Sequence, residues 1–204
     1  MTKTLLILRH AKSSWKNEKL KDFDRPLKHR GEVAANLIGK VLTMTELVPQ
    51  VILSSPAKRA RQTAELVAEE AGFKGEIKFV DPFYMGEPEN YITALNELPD
   101  EIERVMVVGH NPGLEALLQL LDGKVDALPT GSLAYLVLGI KHWADLTKAT
   151  AGDLISFWEP DEIKLEEMEE DMGKDKDKKE KKEKKEKKEK KEKKEKKEKK
   201  KDKK

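Results

Sequence analysis

The chain contains no cysteine, only 5% aromatic residues and only four histidines among 204 residues. Without cysteine there are no disulfides, no thiolate nucleophile and no cysteine-ligated zinc or iron–sulfur centre, so stability must come from packing alone. Long apolar runs are missing as well: the N-terminal stretch turns polar after Thr4 to Leu8, too short for a signal-peptide core or a membrane span. A cytoplasmic monomer with no membrane span is the expectation. The histidines show neither H-x-H nor H-E-x-x-H spacing, so neither a metal site nor a cofactor is expected.

Charge is abundant and unevenly distributed. Residues 1–172 hold 20 of the 41 Lys and Arg but 29 of the 39 Asp and Glu, a formal −9, which leaves +11 for residues 173–204. No apolar residue follows Gly173, so the C-terminal segment has nothing to bury. Its Lys-Lys-Glu triplet drifts around a helix without making an apolar seam, which argues against a coiled coil. The segment reads as a low-complexity Lys/Glu tail, either disordered or a solvated helix, preceded by an acidic helical lead-in over 161–172. Such a tail can make weak, salt-sensitive contacts with acidic partners or nucleic acid, or fold back on the acidic body.

Residues 1–160 read as one domain of alternating strands and helices. Leu5 to Leu8 is a short buried-type run, and Gly31 to Leu47 carries apolar residues close to helical spacing. Val51 to Leu53, the turn Ser54-Ser55-Pro56 and a helix over Ala57 to Ala71 repeat the same grammar. Ile77 to Val80 is a third strand, followed by a helix near Glu89 to Leu98. Arg104 to Val108 is a fourth, breaking at Gly109-His110-Asn111-Pro112-Gly113 before a helix over Leu114 to Leu121. Ser132 to Leu138 and Leu154 to Trp158 are two last strands, the second introduced by a turn at Ala151-Gly152-Asp153. Repeated βα units predict a mainly parallel sheet with helices on both faces.

Ligands of open α/β sheets bind at the carboxyl ends of the strands. Arg9 and His10 follow the first strand, Arg59 follows the second and His110 follows the fourth. One such pair alone is equally a polar strand end at the surface. Three elements at one sheet edge make a cationic site suited to a tetrahedral dianion. A neutral imidazole is a good nucleophile for phosphorus, and guanidinium forks fit phosphoryl oxygens.

These residues carry a resemblance. Leu8-Arg9-His10-Ala11 resembles the R-H-G signature of the histidine phosphatase superfamily. Ser54 to Ala64 resembles its S-S-P-x-x-R-A-x-Q-T segment, and Val108 to Pro112 its second-histidine motif. Asp24-Arg25-Pro26-Leu27 with Arg30-Gly31 is similar to the SixA-type phosphohistidine phosphatases. The resemblance covers most of residues 4–158 and implies a three-layer α/β sandwich, phosphoglycerate mutase-like, with a minimal cap, because the segment from Ile77 to Arg104 is short. One departure is Ala11 in place of glycine, which narrows the pocket little unless its φ is positive.

The resemblance implies that His10 is the nucleophile, with Arg9, Arg59 and His110 holding phosphoryl oxygens, and that no metal is needed. Arg25, Lys12 and Ser13 are further candidates for substrate contact, although Arg25 is equally suited to an ion pair with Asp22 or Asp24. The general acid is open: Glu87, Asp22 and Asp24 are candidates, and each also reads as a solvated loop carboxylate. An open site without a clear acid suits protein N-phosphohistidine better than a small phosphate monoester. A non-catalytic phospho-ligand module is the third reading. His29 reads as a surface or capping residue, and His142 as a packing residue beside Trp143.

Overall fold

The structure is a computed structural model that describes residues 2–123 and 127–166. One compact unit runs through Ile163. A second, Lys164–Lys204, contributes only residues 164–166 to the description, so the Lys/Glu tail and residues 167–172 of the acidic lead-in lie outside the described residues.

Six strands form one sheet: β1 (Lys3–Arg9), β2 (Val51–Ser54), β3 (Glu76–Phe79), β4 (Arg104–Gly109), β5 (Leu133–Leu138) and β6 (Gly152–Trp158). Their spatial order is β3-β2-β4-β1-β5-β6. The first four run parallel, whereas β5 pairs antiparallel with both β1 and β6. The expectation of a mainly parallel sheet holds for the part built from βα units. The link from β5 to β6 contains only a 3₁₀ turn at Trp143–Asp145, and without a crossover helix neighbouring strands return antiparallel. The expected turn at 151–153 is instead the start of β6, where Gly152 pairs with Leu138.

The helices are α1 (His29–Met44), α2 (Lys58–Glu70), α3 (Pro88–Asn96) and α4 (Gly113–Asp122). Alternation along β1 divides them into two layers. Leu6 and Leu8 pack in one core with Ala35, Ile38 and Leu42 of α1 and Ala60, Ala64 and Val67 of α2. Leu5 and Ile7 pack in the other with Tyr91 and Leu95 of α3 and Leu114, Leu117, Leu118 and Leu121 of α4. The last four recur at helical spacing, which gives α4 a single apolar stripe. Fully burying each such side chain contributes about 2 kcal/mol. The molecule is therefore a three-layer α/β sandwich, with the carboxyl ends of β2, β4 and β1 side by side.

Between β3 and β4 the chain makes one 3₁₀ turn (Asp81–Phe83) and the nine-residue α3, which packs against α4 and brings Tyr91 to the end of β4. Among the described residues no helix is long and apolar enough to cross a membrane.

Candidate active site

The three central strands deliver the site. The ladder continues one residue past their ends: the His10 amide donates to the Gly109 carbonyl at 3.0 Å and the Ser55 amide to Val108 at 2.9 Å. His10, His110 and Ser55 thus stand in a row, with the two imidazole centroids 4.9 Å apart. Gly109 is required by close approach, because a methyl there would run into the hydroxyl of buried Tyr91. Gly31 has the same role at the start of α1, where a side chain would overlap the Lys12 carbonyl.

His10 is fixed in one tautomer. Its Nδ1 lies 2.8 Å from the Ala11 carbonyl oxygen, which can only accept, so Nδ1 carries the proton and Nε2 keeps its lone pair. That lone pair faces the Nε–H of Arg59 at 3.2 Å. Burial, with the Arg59, Arg9 and Arg25 charges, pushes the imidazole down to about 4, so it is neutral at pH 7. Ala11 does not have a positive φ; its amide donates to Thr63 Oγ1 at 3.0 Å, and the missing glycine costs the turn nothing.

Around His10 stands an arginine clamp tied by one carboxylate. Asp22 Oδ1 accepts from Arg25 Nη1 at 2.6 Å, and its Oδ2 accepts from Arg59 Nη2 at 3.0 Å and from the Tyr84 hydroxyl at 3.0 Å. Arg59 Nη1 adds a bond to the Asp22 carbonyl. Although partial burial works against its charge, bonds from Arg25 and Tyr84 and the Arg59 charge hold the Asp22 carboxyl below the usual carboxylate range. Arg25 also donates to Ser13 Oγ at 2.6 Å and to the Ser14 carbonyl, with its guanidinium 3.2 Å from the Trp15 ring centre.

On the other side, His110 Nε2 is 2.8 Å from Ser55 Oγ. Burial and then the neighbouring His10 and Arg59 push it down to about 3. Arg9 Nη1 donates to the Leu128 carbonyl at 2.8 Å. Glu115 on α4 holds that carbonyl's segment, accepting from Asn111 Nδ2 at 2.8 Å and the Leu128 amide at 2.9 Å. Two buried nitrogens at the site, Arg9 Nε and His110 Nδ1, find no hydrogen-bond partner among the described residues.

The cavity before His10 measures about 360 Å³ and is lined by Arg9, Lys12, Ser13, Trp15, Arg25, Lys28, Arg59 and Thr130. The structure thus brings together Arg9, His10, Lys12, Ser13, Arg25 and Arg59 around one cavity, with the His110 ring beside that of His10 and tilted 54° to it. It treats the three acid candidates differently. Asp22 is beside the clamp but held ionised, so it has no proton to give in this arrangement. Glu87 is exposed and caps α3 through Asn90, and Asp24 is exposed on the 3₁₀ turn at Asp22–Asp24. His29 is exposed at the start of α1. His142 does not pack: it is exposed and 2.7 Å from Asp100, while Trp143 takes the buried place. Sequence reading missed Tyr84, Trp15, Thr63 and Glu115. The only signal for Trp15 was a lone indole inside a charged stretch, and Tyr84 had none. Among the described residues no three His, Asp or Glu side chains gather as a metal site would need.

The family profile of the histidine phosphatase superfamily (branch 1) matches residues 5–81. An uncharacterized chloroplastic protein of Arabidopsis thaliana is 34% identical over 155 residues, 71% of each chain. A solved structure assigned as the phosphohistidine phosphatase SixA of Agrobacterium tumefaciens is 30% identical, with a TM-score of 0.67 over 78% of this chain and 99% of that one. The chain belongs to the histidine phosphatase superfamily, and its likeness is to the SixA type. An uncharacterized protein of Mycobacterium tuberculosis, 33% identical over 75% of this chain and 99% of its own, is a further relative of this histidine phosphatase.

Proposed function

We propose that this phosphatase hydrolyses protein N-phosphohistidine through a phosphorylated His10. The observation that carries the reading is the combination of a neutral Nε2 nucleophile with a clamp whose one carboxylate, Asp22, is held ionised by two arginines. A phosphate ester leaves as an alkoxide and needs a proton donor. An N-phosphorylated imidazole protonated on its other nitrogen leaves as neutral imidazole, whose conjugate acid has an ordinary pKa of about 6.5. That the carboxylate beside the clamp is already committed to two arginines supports the second reaction over the first.

In the first step His10 Nε2 donates its electron pair to phosphorus, and the phosphorus–nitrogen bond to the substrate breaks, its pair returning to the leaving imidazole. Phosphorus takes the position on that lone pair now held by the Arg59 Nε–H. Arg9, Arg25 and Arg59 offset the charge of the phosphoryl oxygens, a task of positioning and electrostatics. In the second step a water oxygen bonds to phosphorus, the bond to Nε2 breaks, a water proton is released and inorganic phosphate departs. No step requires a metal, so EDTA is expected to leave turnover intact.

The test compares kcat/KM on a phosphohistidine protein with that on simple phosphate monoesters, together with trapping of the intermediate. Wild type is expected to prefer phosphohistidine and to yield acid-labile, alkali-stable protein-bound phosphate, absent from His10→Ala. Preference for monoesters defeats the substrate assignment, and labelling that survives in His10→Ala defeats the nucleophile.

A further inference from the structure

Eight large apolar side chains are exposed among the described residues, and four of them, Trp15, Leu20, Phe23 and Met85, lie on two segments that also build the clamp. Trp15 is 69% exposed on the cavity wall, and Phe23 meets Tyr84 edge-on at 5.0 Å. Met85, 65% exposed, has φ 56, a conformation that a bulky non-glycine residue rarely adopts. Neither burial nor backbone preference accounts for methionine at this position. Exposed apolar side chains gathered on the segments that border a site mark contact surfaces.

Charge gives the surface a sign. Residues 12–30 carry seven Lys or Arg against three Asp or Glu, a formal +4 within a body of −9. Lys16, Lys19 and Lys21 are exposed, and among the described residues none of the three ammonium groups has a carboxylate at ion-pair distance. Of these apolar and lysine side chains only Trp15 lines the cavity before His10, so the rest lie outside the space that holds a phosphoryl group.

We infer that the apolar and lysine-bearing rim is a docking surface for an acidic face of a folded protein that presents the phosphorylated side chain to His10. The inference rests on the proposed function and adds the partner's chemistry. RNA or an anionic membrane shares the charge but not the need for the exposed apolar side chains Trp15, Leu20, Phe23 and Met85 beside the lysines, which suit a folded protein face.

The test uses the full chain and two variants outside the clamp, K16E/K19E/K21E and Leu20→Ser/Met85→Ser. Substrates are free histidine and an acidic-faced protein with one surface histidine, both phosphorylated with phosphoramidate, plus a form of that protein with its acidic face changed from Glu to Gln. The lysine variant is expected to lose at least tenfold in kcat/KM on the acidic phosphoprotein, the apolar variant severalfold, and both to stay within twofold of wild type on phosphohistidine itself. The Glu→Gln substrate is expected to erase the effect of the lysine variant. Equal losses on both substrates, or no loss on the protein, overturn the proposal, as does stronger competition from phosphatidylserine vesicles or single-stranded RNA than from the unphosphorylated acidic protein. If wild type cleaves only p-nitrophenyl phosphate, the proposed function fails. Docking is then read from binding of the unphosphorylated acidic protein, which must weaken at least tenfold in the lysine variant.

Discussion

A histidine shut away from water and surrounded by guanidinium groups gives up its proton far below the usual range, and both imidazoles of this site are in that position. With His10 pushed down to about 4 and His110 to about 3, each is neutral in the folded protein through pH 5. The unfolded chain takes up protons at these positions below about pH 6.5. Folding stability therefore falls as pH drops from about 6.5 to about 3, because the unfolded state binds more protons there. Imidazole resonances of His10 and His110 are expected to stay in their neutral positions at pH 5.5, and a midpoint near 6.5 for either contradicts the burial argument. Asp22 allows a second prediction. Asp22→Asn removes the charge that orients Arg25 and Arg59 while keeping the shape, and hydrogen bonds to charged groups are worth about 1.5–3 kcal/mol each. Its kcat/KM is expected to fall by about ten- to a hundredfold with folding retained. An unchanged rate shows that the arginines need no such anchor.

At the level of elements, the strand-end residues were legible because their information is local. Arg9-His10 follows an apolar run, Arg59 opens a helix after a Ser-Pro turn, and His110 stands at a glycine-flanked break, so each could be put at the same sheet edge from its own neighbours. Tyr84 could not be: its hydroxyl reaches Asp22, 62 residues earlier, through packing that no local pattern reports. Glu115 acts on Arg9 only through the Leu128 carbonyl, and the antiparallel return of β6 depends on what the β5–β6 link lacks. The ionised state of Asp22 was likewise invisible, since it requires two arginines to converge on one carboxylate. The α1 start shows how an element carries the site. Gly31 lies against the Lys12 backbone, so Gly31→Ala must displace either α1 or the segment after His10. Overpacking of this kind costs about 1–3 kcal/mol. A lowered melting temperature and a raised KM are expected together, and a variant with wild-type values of both shows that the contact yields freely.

For the whole molecule, the question is how a body of −9 and a C-terminal segment of +11 divide the work. Among the described residues every group that lines the cavity belongs to residues 9–130, and the apolar core includes residues as far as Ile163. The groups proposed for the chemistry therefore all lie within the first compact unit. Removal of residues 173–204 is expected to leave kcat/KM on free phosphohistidine within about twofold. It also makes the net charge of the remaining chain negative, so long-range attraction of an acidic protein substrate weakens. That attraction is screened by salt, with a Debye length near 10 Å at 0.1 M. The difference between full-length and shortened chains on an acidic phosphoprotein is thus expected to be present at low ionic strength and to vanish by about 0.5 M salt. Collapse of activity on free phosphohistidine after the deletion makes the segment part of the catalytic body. A full-length advantage that persists in high salt points to a contact of a kind other than charge.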